Sequence, residues 1–180
     1  MIRRRIAQSR VRRSDANAVI RRVLFRIWDP GWKTILLYVN RPEEVATRPF
    51  IRTFLRRRFK VCVPAYDGVR ARYFPSRVSR PARELVRGRF GVLEPRISTR
   101  RRVPRRQLDL ILVPGLAFDP RGNRLGHGHG YFDQLCRATR AAKIGLAYHF
   151  QLVDRLTPHA GDVQMDMIIT EKGIIHCRKS

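Results

Sequence analysis

Five short apolar runs recur along the chain, and most are separated by enough residues for a helix. Several runs are continuously apolar, which is typical of strands buried on both faces of a parallel sheet. The runs are TILLYVN (34–40), KVCVPA (60–65), LDLILVP (108–114), KIGLAY (143–148) and MDMIIT (165–170). This pattern predicts five strands in a mostly parallel sheet.

Helical periodicity appears between these runs. Residues 131–142 predict one helix, and residues 47–58 predict another, with an apolar stripe made of Phe50, Ile51, Phe54 and Leu55. Residues 1–30 predict a basic first helix with Ser14 as its N-cap and an apolar face made of Val19, Ile20, Val23, Leu24 and Ile27. The alternation of strands and helices predicts an α/β fold.

Residues 66–106 interrupt this alternation. They are rich in Pro, Gly and Arg, with weak periodicity, and predict an irregular excursion containing one hairpin. A chain of 180 residues is long enough for one substantial core, so we expect a single domain over 1–180. No apolar run approaches the roughly 20 residues of a membrane helix, so we expect no membrane span.

The charge of the chain is unusual. The net charge is +25, with an isoelectric point of about 11.7. Residues 1–106 hold 30 Lys and Arg against 7 Asp and Glu, whereas residues 107–180 hold 9 against 7. Such a surface favours anionic partners, RNA among them, although solvated faces and coding bias also produce arginine runs.

Cysteines and the N-terminus bear on the compartment. Three scattered cysteines without a C-x-x-C pair argue against a disulfide scaffold and favour a reducing, cytoplasmic setting. The N-terminus is rich in arginine and poor in acids, which also describes an organelle transit peptide. A mitochondrial or other organellar matrix is therefore the alternative to the cytoplasm.

A glycine-rich stretch follows the third run. In it Gly126, Gly128 and Gly130 alternate with His127 and His129. Glycine lets a backbone approach a phosphate closely, and ligands of parallel sheets collect where strands end. The spacing matches neither G-x-G-x-x-G nor a Walker A loop, so a phosphate cradle and a plain turn both stay open.

Two neighbouring side chains favour the phosphate interpretation. Arg124 supplies a guanidinium suited to bidentate phosphate contact, and Asp133 supplies a carboxylate of the kind that Mg²⁺ prefers. Zinc is the weaker hypothesis, because it needs three or four ligands and no Cys or His cluster lies close in sequence to complete His127 and His129.

This stretch and its surroundings resemble a known family. DLILVPGLAFDPRGNRLGHGHGYFD (109–133) is similar to the signature of 5-formyltetrahydrofolate cyclo-ligase, also called 5,10-methenyltetrahydrofolate synthetase. YVNRPEEVATRPFI resembles the family's Glu-x-x-Thr segment, and KVCVPA and RFGVLEP resemble the following strand and a Gly-x-x-Glu-Pro turn. GDVQMDMIITEKG resembles its closing Asp-x-x-x-Asp strand, so the resemblance runs from Ile35 to Gly173.

The resemblance implies a three-layer α/β domain of Rossmann-like, NagB-like topology that binds MgATP and a reduced folate. In the family's reaction, ATP phosphorylates the formyl oxygen of 5-formyltetrahydrofolate, N10 attacks, and phosphate leaves to give 5,10-methenyltetrahydrofolate. By position, ATP would contact Arg3, Arg124, Leu125, Gly126, His127, Gly128, His129, Gly130, Tyr131 and Phe132. The folate, with or without a polyglutamate tail, would contact Val39, Glu44 and Tyr131, and Mg²⁺ would be held by Asp133 and Asp162.

Three features depart from the family pattern. The family usually has a Lys-x-x-x-Arg pair near its N-terminus, and the position of this lysine would precede Met1. In the glycine-rich stretch, His127 and His129 replace other residue types. Gly161 stands where a histidine usually precedes the aspartate, here Asp162. With the charge, these departures support an alternative: a basic, catalytically weakened relative bound to RNA in an assembly such as an organellar ribosome. The retained glycines and carboxylates favour the enzyme.

Overall fold

Helices and strands alternate along most of the computed structural model, which describes residues 10–88 and 91–178, with the backbone alone for 10–12. The elements in chain order are α1 (Arg10–Arg26), β1 (Thr34–Leu37), α2 (Arg48–Arg56), β2 (Lys60–Asp67), β3 (Arg72–Val78), α3 (Pro81–Glu84), β4 (Leu85–Arg87), β5 (Leu93–Pro95), β6 (Leu110–Pro114), β7 (Ala117–Phe118), β8 (Arg124–Leu125), α4 (Tyr131–Cys136), β9 (Ala142–Leu146), β10 (Met167–Thr170) and β11 (Gly173–His176). None of the helices in the described ranges is long and apolar enough to cross a membrane.

Seven strands form the central sheet in the order β11-β10-β9-β6-β1-β2-β3. The five inner strands are parallel, and an antiparallel strand closes each edge. In the centre, Leu36 of β1 pairs with Cys62 of β2 and with Ile111 of β6. From β1 the chain proceeds to β2 on one side and later to β6 on the other. Ligands of such sheets bind at this reversal point, outside the carboxyl ends of the strands.

Side chains that alternate along the strands build a core on each face of the sheet. One face packs Ile35, Leu37 and Leu110 against α1 and α2, through residues such as Leu24 and Phe54. The other face packs Leu36, Cys62, Ile111 and Val113 against Leu135 and Cys136 of α4, and against Phe118 of β7. The helices therefore lie on both sides of the sheet, and the predicted three-layer α/β fold is confirmed.

Local details differ from the sequence-based expectations in three places. Ser14 lies inside α1, which begins at Arg10, so it does not cap the helix; residues 1–9 fall outside the described part. The helix expected over 131–142 ends at Cys136, because Arg137 is extended and Ala138 has a positive φ of 55°. Residues 66–106 are more regular than predicted, since they take part in two hairpins, β2–β3 and β4–β5.

Candidate active site

A cavity of about 580 Å³ opens where β1, β2 and β6 end. Its wall includes Tyr38 just after β1, Pro64 of β2 and Gly115 just after β6. Every predicted site residue within the described ranges also lies in this wall: Val39, Glu44, the run from Arg124 to Asp133, and Asp162. Arg3 falls outside the described residues. Residues far apart in the sequence thus share one cavity at the carboxyl edge of the sheet.

The glycine loop (residues 126–130) contains glycines of two kinds. A Cβ at Gly126 would lie 2.5 Å from Nη1 of Arg124, so this glycine leaves room for the guanidinium. Gly128 and Gly130 have positive φ angles of 85° and 62°, and a Cβ on either would meet nothing within 4 Å. The backbone at these two positions has a conformation that other residues adopt at a cost, and it faces open space that a phosphate group can enter.

Arg124 and Asp133 form an ion pair in the cavity wall. Nη2 of Arg124 donates to Oδ2 of Asp133 over 2.6 Å, and the two side chains are only 8% and 11% exposed. The other carboxylate oxygen, Oδ1, accepts a hydrogen bond of 3.3 Å from the backbone N–H of Val163. Nε of Arg124 is buried and has no hydrogen-bond partner in the described part of the chain. The ion pair therefore fixes the guanidinium in the wall, with Nε turned away from solvent.

Asp162 approaches Asp133 through the backbone, because the N–H bonded to Asp133 belongs to the next residue, Val163. Oδ2 of Asp162 accepts a hydrogen bond of 2.8 Å from the N–H of His159, which also lies in the cavity wall. No group of three or more His, Cys, Asp or Glu side chains suited to a metal occurs within the described ranges. Two carboxylates are nevertheless a sufficient protein contribution for Mg²⁺, which usually keeps water and phosphate oxygens as its other ligands.

The two histidines of the glycine loop are exposed and lie along the wall. The imidazole of His129 stacks on the ring of Tyr131, with 5.3 Å between ring centroids and 12° between ring planes. Since His129 lies flat against a neighbouring ring, the cavity stays open beside it. The side chain of His129 is therefore held against Tyr131 in the wall of the cavity.

The residues predicted to contact folate follow β1. The side chain of Thr47 and that of Asn40 each accept a hydrogen bond from the other residue's backbone N–H, at 3.2 and 3.0 Å, which closes the segment between them. Within it, Oε2 of Glu44 accepts the N–H of Arg41 at 2.9 Å. Glu44 lies four residues before α2 begins, so it is part of this closed segment and the cavity wall rather than of the helix.

A buried acid supports the chain before the glycine loop. Asp119 is completely buried, and its carboxylate accepts the backbone N–H groups of Arg121, Asn123 and Leu156 together with the side-chain amide of Asn123. Burial by itself would raise the pKa of Asp119, but these hydrogen bonds outweigh it and hold the pKa below its usual value. Asp119 is therefore a charged anchor of the turn that leads to Arg124.

The thiols are poor candidates for chemistry. Burial raises the pKa of both Cys62 and Cys136 to about 12, so neither forms a thiolate near neutral pH. Cys62 lies in the centre of the sheet, and Cys136 ends α4. The chemistry of the cavity accordingly has to depend on positioning and charge.

Sequence reasoning missed several residues of the cavity wall: Tyr38, Arg41, Tyr73, Glu94 and His159. Tyr73 lies in β3 within the supposedly irregular excursion, and no local pattern distinguishes it from a core tyrosine. Glu94 belongs to the quoted Gly-x-x-Glu-Pro turn, but only the folded chain shows that its carboxylate reaches the cavity.

Comparisons with known proteins find similarity at the level of family, sequence and structure. Residues 1–171 match the model of the 5-formyltetrahydrofolate cyclo-ligase family. The 5-formyltetrahydrofolate cyclo-ligase of Mycoplasma pneumoniae is 31% identical over 176 residues, covering 96% of this chain and 94% of that protein. The corresponding protein of Haemophilus influenzae is 29% identical over 136 residues, covering 74% and 73%. The solved structure of 5,10-methenyltetrahydrofolate synthetase from Aquifex aeolicus is similar, with a TM-score of 0.79 and 31% identity over 99% of this chain and 89% of that one.

Proposed function

The chain belongs to the 5-formyltetrahydrofolate cyclo-ligase family, and we propose that it converts 5-formyltetrahydrofolate to 5,10-methenyltetrahydrofolate at the expense of ATP. The observation that carries this proposal is the cavity that gathers the glycine loop, Arg124 and the two aspartates beside the segment that holds Glu44. Such a wall can hold an anionic nucleotide and a second, planar substrate side by side.

The run from Arg124 to Phe132 would contact the phosphates of ATP. Gly128 and Gly130 supply a backbone that faces open space, and Arg124 supplies a guanidinium in the cavity wall. Backbone N–H groups and guanidinium groups are the donors that proteins commonly use for phosphate oxygens. The residues present therefore fit a triphosphate.

Asp133 and Asp162 would hold Mg²⁺, which neutralises charge on the transferring phosphoryl group when it is bound. Both acids line the cavity, and the hydrogen bond from Val163 to Asp133 ties their two segments together. In the described structure Asp133 pairs with Arg124, so nucleotide and metal together would have to replace that contact.

Glu44, Val39 and Tyr131 would contact the folate. In the proposed reaction the formyl oxygen takes the γ-phosphoryl group and ADP is formed. N10 then adds to the activated formyl carbon, and loss of phosphate and of the N10 proton leaves the methenyl bridge. Because neither step needs a protein nucleophile, the residues act by holding the formyl oxygen near the phosphate and by keeping water out.

Product formation tests the proposal directly. Purified protein is mixed with 5-formyltetrahydrofolate and MgATP, and the absorbance of the methenyl product is followed together with ADP. We expect both products in equal amounts, and neither when a non-hydrolysable ATP analogue replaces ATP. Folded protein that forms no methenyl product at saturating MgATP would contradict the proposal.

The alternative of an RNA-bound relative gains no support from the comparisons, since the relatives named above are cyclo-ligases or synthetases. Some of the arginines that suggested it have contacts within the chain. Arg101 lies 2.6 Å from Glu84, and Arg102 lies 3.1 Å from Asp67. These guanidiniums help to hold the fold, so the arginine run at 100–102 is not a free patch.

A further inference from the structure

Glu94 is a buried carboxylate in the cavity wall, with an exposed fraction of only 3%. Its Oε1 accepts the hydroxyl of Tyr73 at 2.8 Å, and its Oε2 accepts the backbone N–H of Tyr66 at 3.0 Å. Nη2 of Arg100 lies 4.0 Å from the same Oε2. A charge is costly to bury without such partners. Three residues, Tyr73, Tyr66 and Arg100, therefore stabilise the buried carboxylate of Glu94.

The chain also leaves space for this side chain. A Cβ at Gly88 would lie 2.7 Å from Cδ of Glu94 and 2.8 Å from its Cγ. Arg100 is fixed in turn, because it donates to the carbonyl oxygens of Tyr66 at 2.7 Å and of Pro95 at 3.1 Å. The position of Glu94 is therefore determined from several sides.

Through Tyr73, Glu94 supports a row of four rings, here called the aromatic row: Tyr66, Tyr73, Tyr131 and His129. The centroids of Tyr66 and Tyr73 are 5.2 Å apart, those of Tyr73 and Tyr131 are 4.8 Å apart, and His129 stacks on Tyr131. Tyr73, Tyr131 and His129 all line the cavity. The hydroxyl of Tyr73 is thus the point at which a buried charge fixes the orientation of a ligand-facing ring.

We infer that Glu94 is a positioning residue for the folate: it fixes the ring of Tyr73, so that the pterin meets a preorganised surface. This inference rests on the proposed function. The neighbouring wall residues Val92 and Leu93 are apolar, and a planar heteroaromatic ring is the substrate group that an apolar, aromatic surface suits.

The chain offers a matched control in Glu84. It too is a buried glutamate of the same excursion, 8% exposed, and it pairs with an arginine, Arg101, at 2.6 Å. It also accepts a backbone N–H, that of Ser79, at 2.8 Å. Unlike Glu94 it does not line the cavity, so Glu84→Gln measures the effect of weakening such a network away from the ligand.

The experiment compares Tyr73→Phe, Glu94→Gln, the double variant and Glu84→Gln. Steady-state kinetics give KM for 5-formyltetrahydrofolate and for ATP, and calorimetry gives Kd for the folate without turnover. We expect Tyr73→Phe, which loses a hydrogen bond to a charged group, to raise KM and Kd for the folate about tenfold. Glu94→Gln keeps an acceptor oxygen but loses the charge, so it should raise both values by less, and neither variant should change KM for ATP. For the folate, the double variant should be no worse than Tyr73→Phe, because Glu94 is inferred to act on the folate only through the Tyr73 hydroxyl. Glu84→Gln should leave both KM values unchanged.

Three results would overturn the inference: an unchanged folate affinity in Glu94→Gln despite a lower melting temperature, an equal rise in KM for ATP, or the same folate effect in Glu84→Gln. The binding measurement separates this inference from the proposed function. Wild-type protein that binds the folate without turnover would contradict the function, yet the Kd values of the variants would still decide the role of Glu94. Wild-type protein that does not bind the folate would reject both.

Discussion

Replacing Asp133 by asparagine removes the only carboxylate that pairs with Arg124 within the described part of the chain. The side chain keeps its size, so the change is one of charge. The two side chains are 2.6 Å apart and only 8% and 11% exposed. The substitution therefore leaves the guanidinium without its countercharge in a place that water reaches poorly. Loss of one partner of a buried pair costs about 3–5 kcal/mol in unfolding free energy.

The lower end of that range applies to Asp133→Asn, because Arg124 keeps a weak contact with the carbonyl oxygen of Pro114 and borders an open cavity. We therefore expect a loss of about 3 kcal/mol. For a chain of this length each kcal/mol corresponds to a shift in Tm of about 2–4 °C, so Tm should fall by about 6–12 °C.

Asp162→Asn is the matched control, since Asp162 is the other proposed magnesium ligand but is exposed and accepts its hydrogen bond from a backbone N–H. It should lose MgATP affinity in calorimetry as Asp133→Asn does, while its unfolding free energy changes by less than about 1 kcal/mol. Adding Arg124→Gln to Asp133→Asn removes the unpaired charge, so the double variant should be more stable than the sum of the single effects predicts, by about 1–3 kcal/mol.

Urea unfolding of the wild type, the three single variants and the double variant, followed by circular dichroism, measures these free energies. Equal stability of Asp133→Asn and Asp162→Asn would refute the claim that the Arg124–Asp133 pair supports the fold. Strictly additive effects of Arg124→Gln and Asp133→Asn would refute the coupling. Unchanged MgATP affinity in both aspartate variants would refute the proposed metal site without touching the stability reasoning.

The glycine loop, the buried Asp119 and the thiols each lead to a further prediction. Gly128→Ala should raise KM for ATP more than KM for the folate, because a side chain at φ 85° costs about 1–2 kcal/mol and enters the space proposed for phosphate; equal changes in the two KM values would contradict this. Asp119 has a lowered pKa in the folded state, so its stabilising contribution is complete above its unfolded pKa of about 3.9 and disappears as pH falls through the folded value. The stability difference between wild type and Asp119→Asn, measured by thermal unfolding, should therefore shrink toward acid, and a difference that is constant with pH would argue against it. An alkylating reagent at pH 8 should modify the partly exposed Cys177 first, and it should reach Cys62 and Cys136 only after unfolding. Mass analysis of peptides identifies the modified cysteines. Rapid modification of either buried thiol would contradict the raised pKa values.

The sheet was the most predictable part of the molecule. Strands buried on both faces must be apolar at nearly every position, so runs such as 108–114 stand out from the sequence without any knowledge of the fold. Helix ends were less predictable because they depend on the direction that the next segment of the chain has to take. The chain after Cys136 has to turn back toward β9, and the positive φ of Ala138 that achieves this has no signal in its residue type.

The candidate site was predictable only where its residues are neighbours in the sequence. The run from Arg124 to Asp133 carries its own motif, and all of it lines the cavity. Glu94 and Tyr73 are 21 residues apart and belong to two different hairpins, whereas the sequence predicted one hairpin in this segment and gave no bounds for it. Even within the motif the reasons differ, since Gly126 makes room for a guanidinium whereas Gly128 faces open space.

The net charge gives the least direct information about function, because it sums arginines with different contacts. Those at 100–102 each lie beside an acid: Arg100 with Glu94, Arg101 with Glu84, and Arg102 with Asp67. On α2, by contrast, the three exposed arginines pair with no carboxylate within the described ranges: Arg48, Arg52 and Arg56. If the arginines at 100–102 stabilise the fold, neutralising them should lower the free energy of unfolding. Neutralising the exposed arginines of α2 should change only the surface potential. The arginines at 100–102 hold three acids of the fold in place, so this run is not by itself evidence for a polyanionic partner.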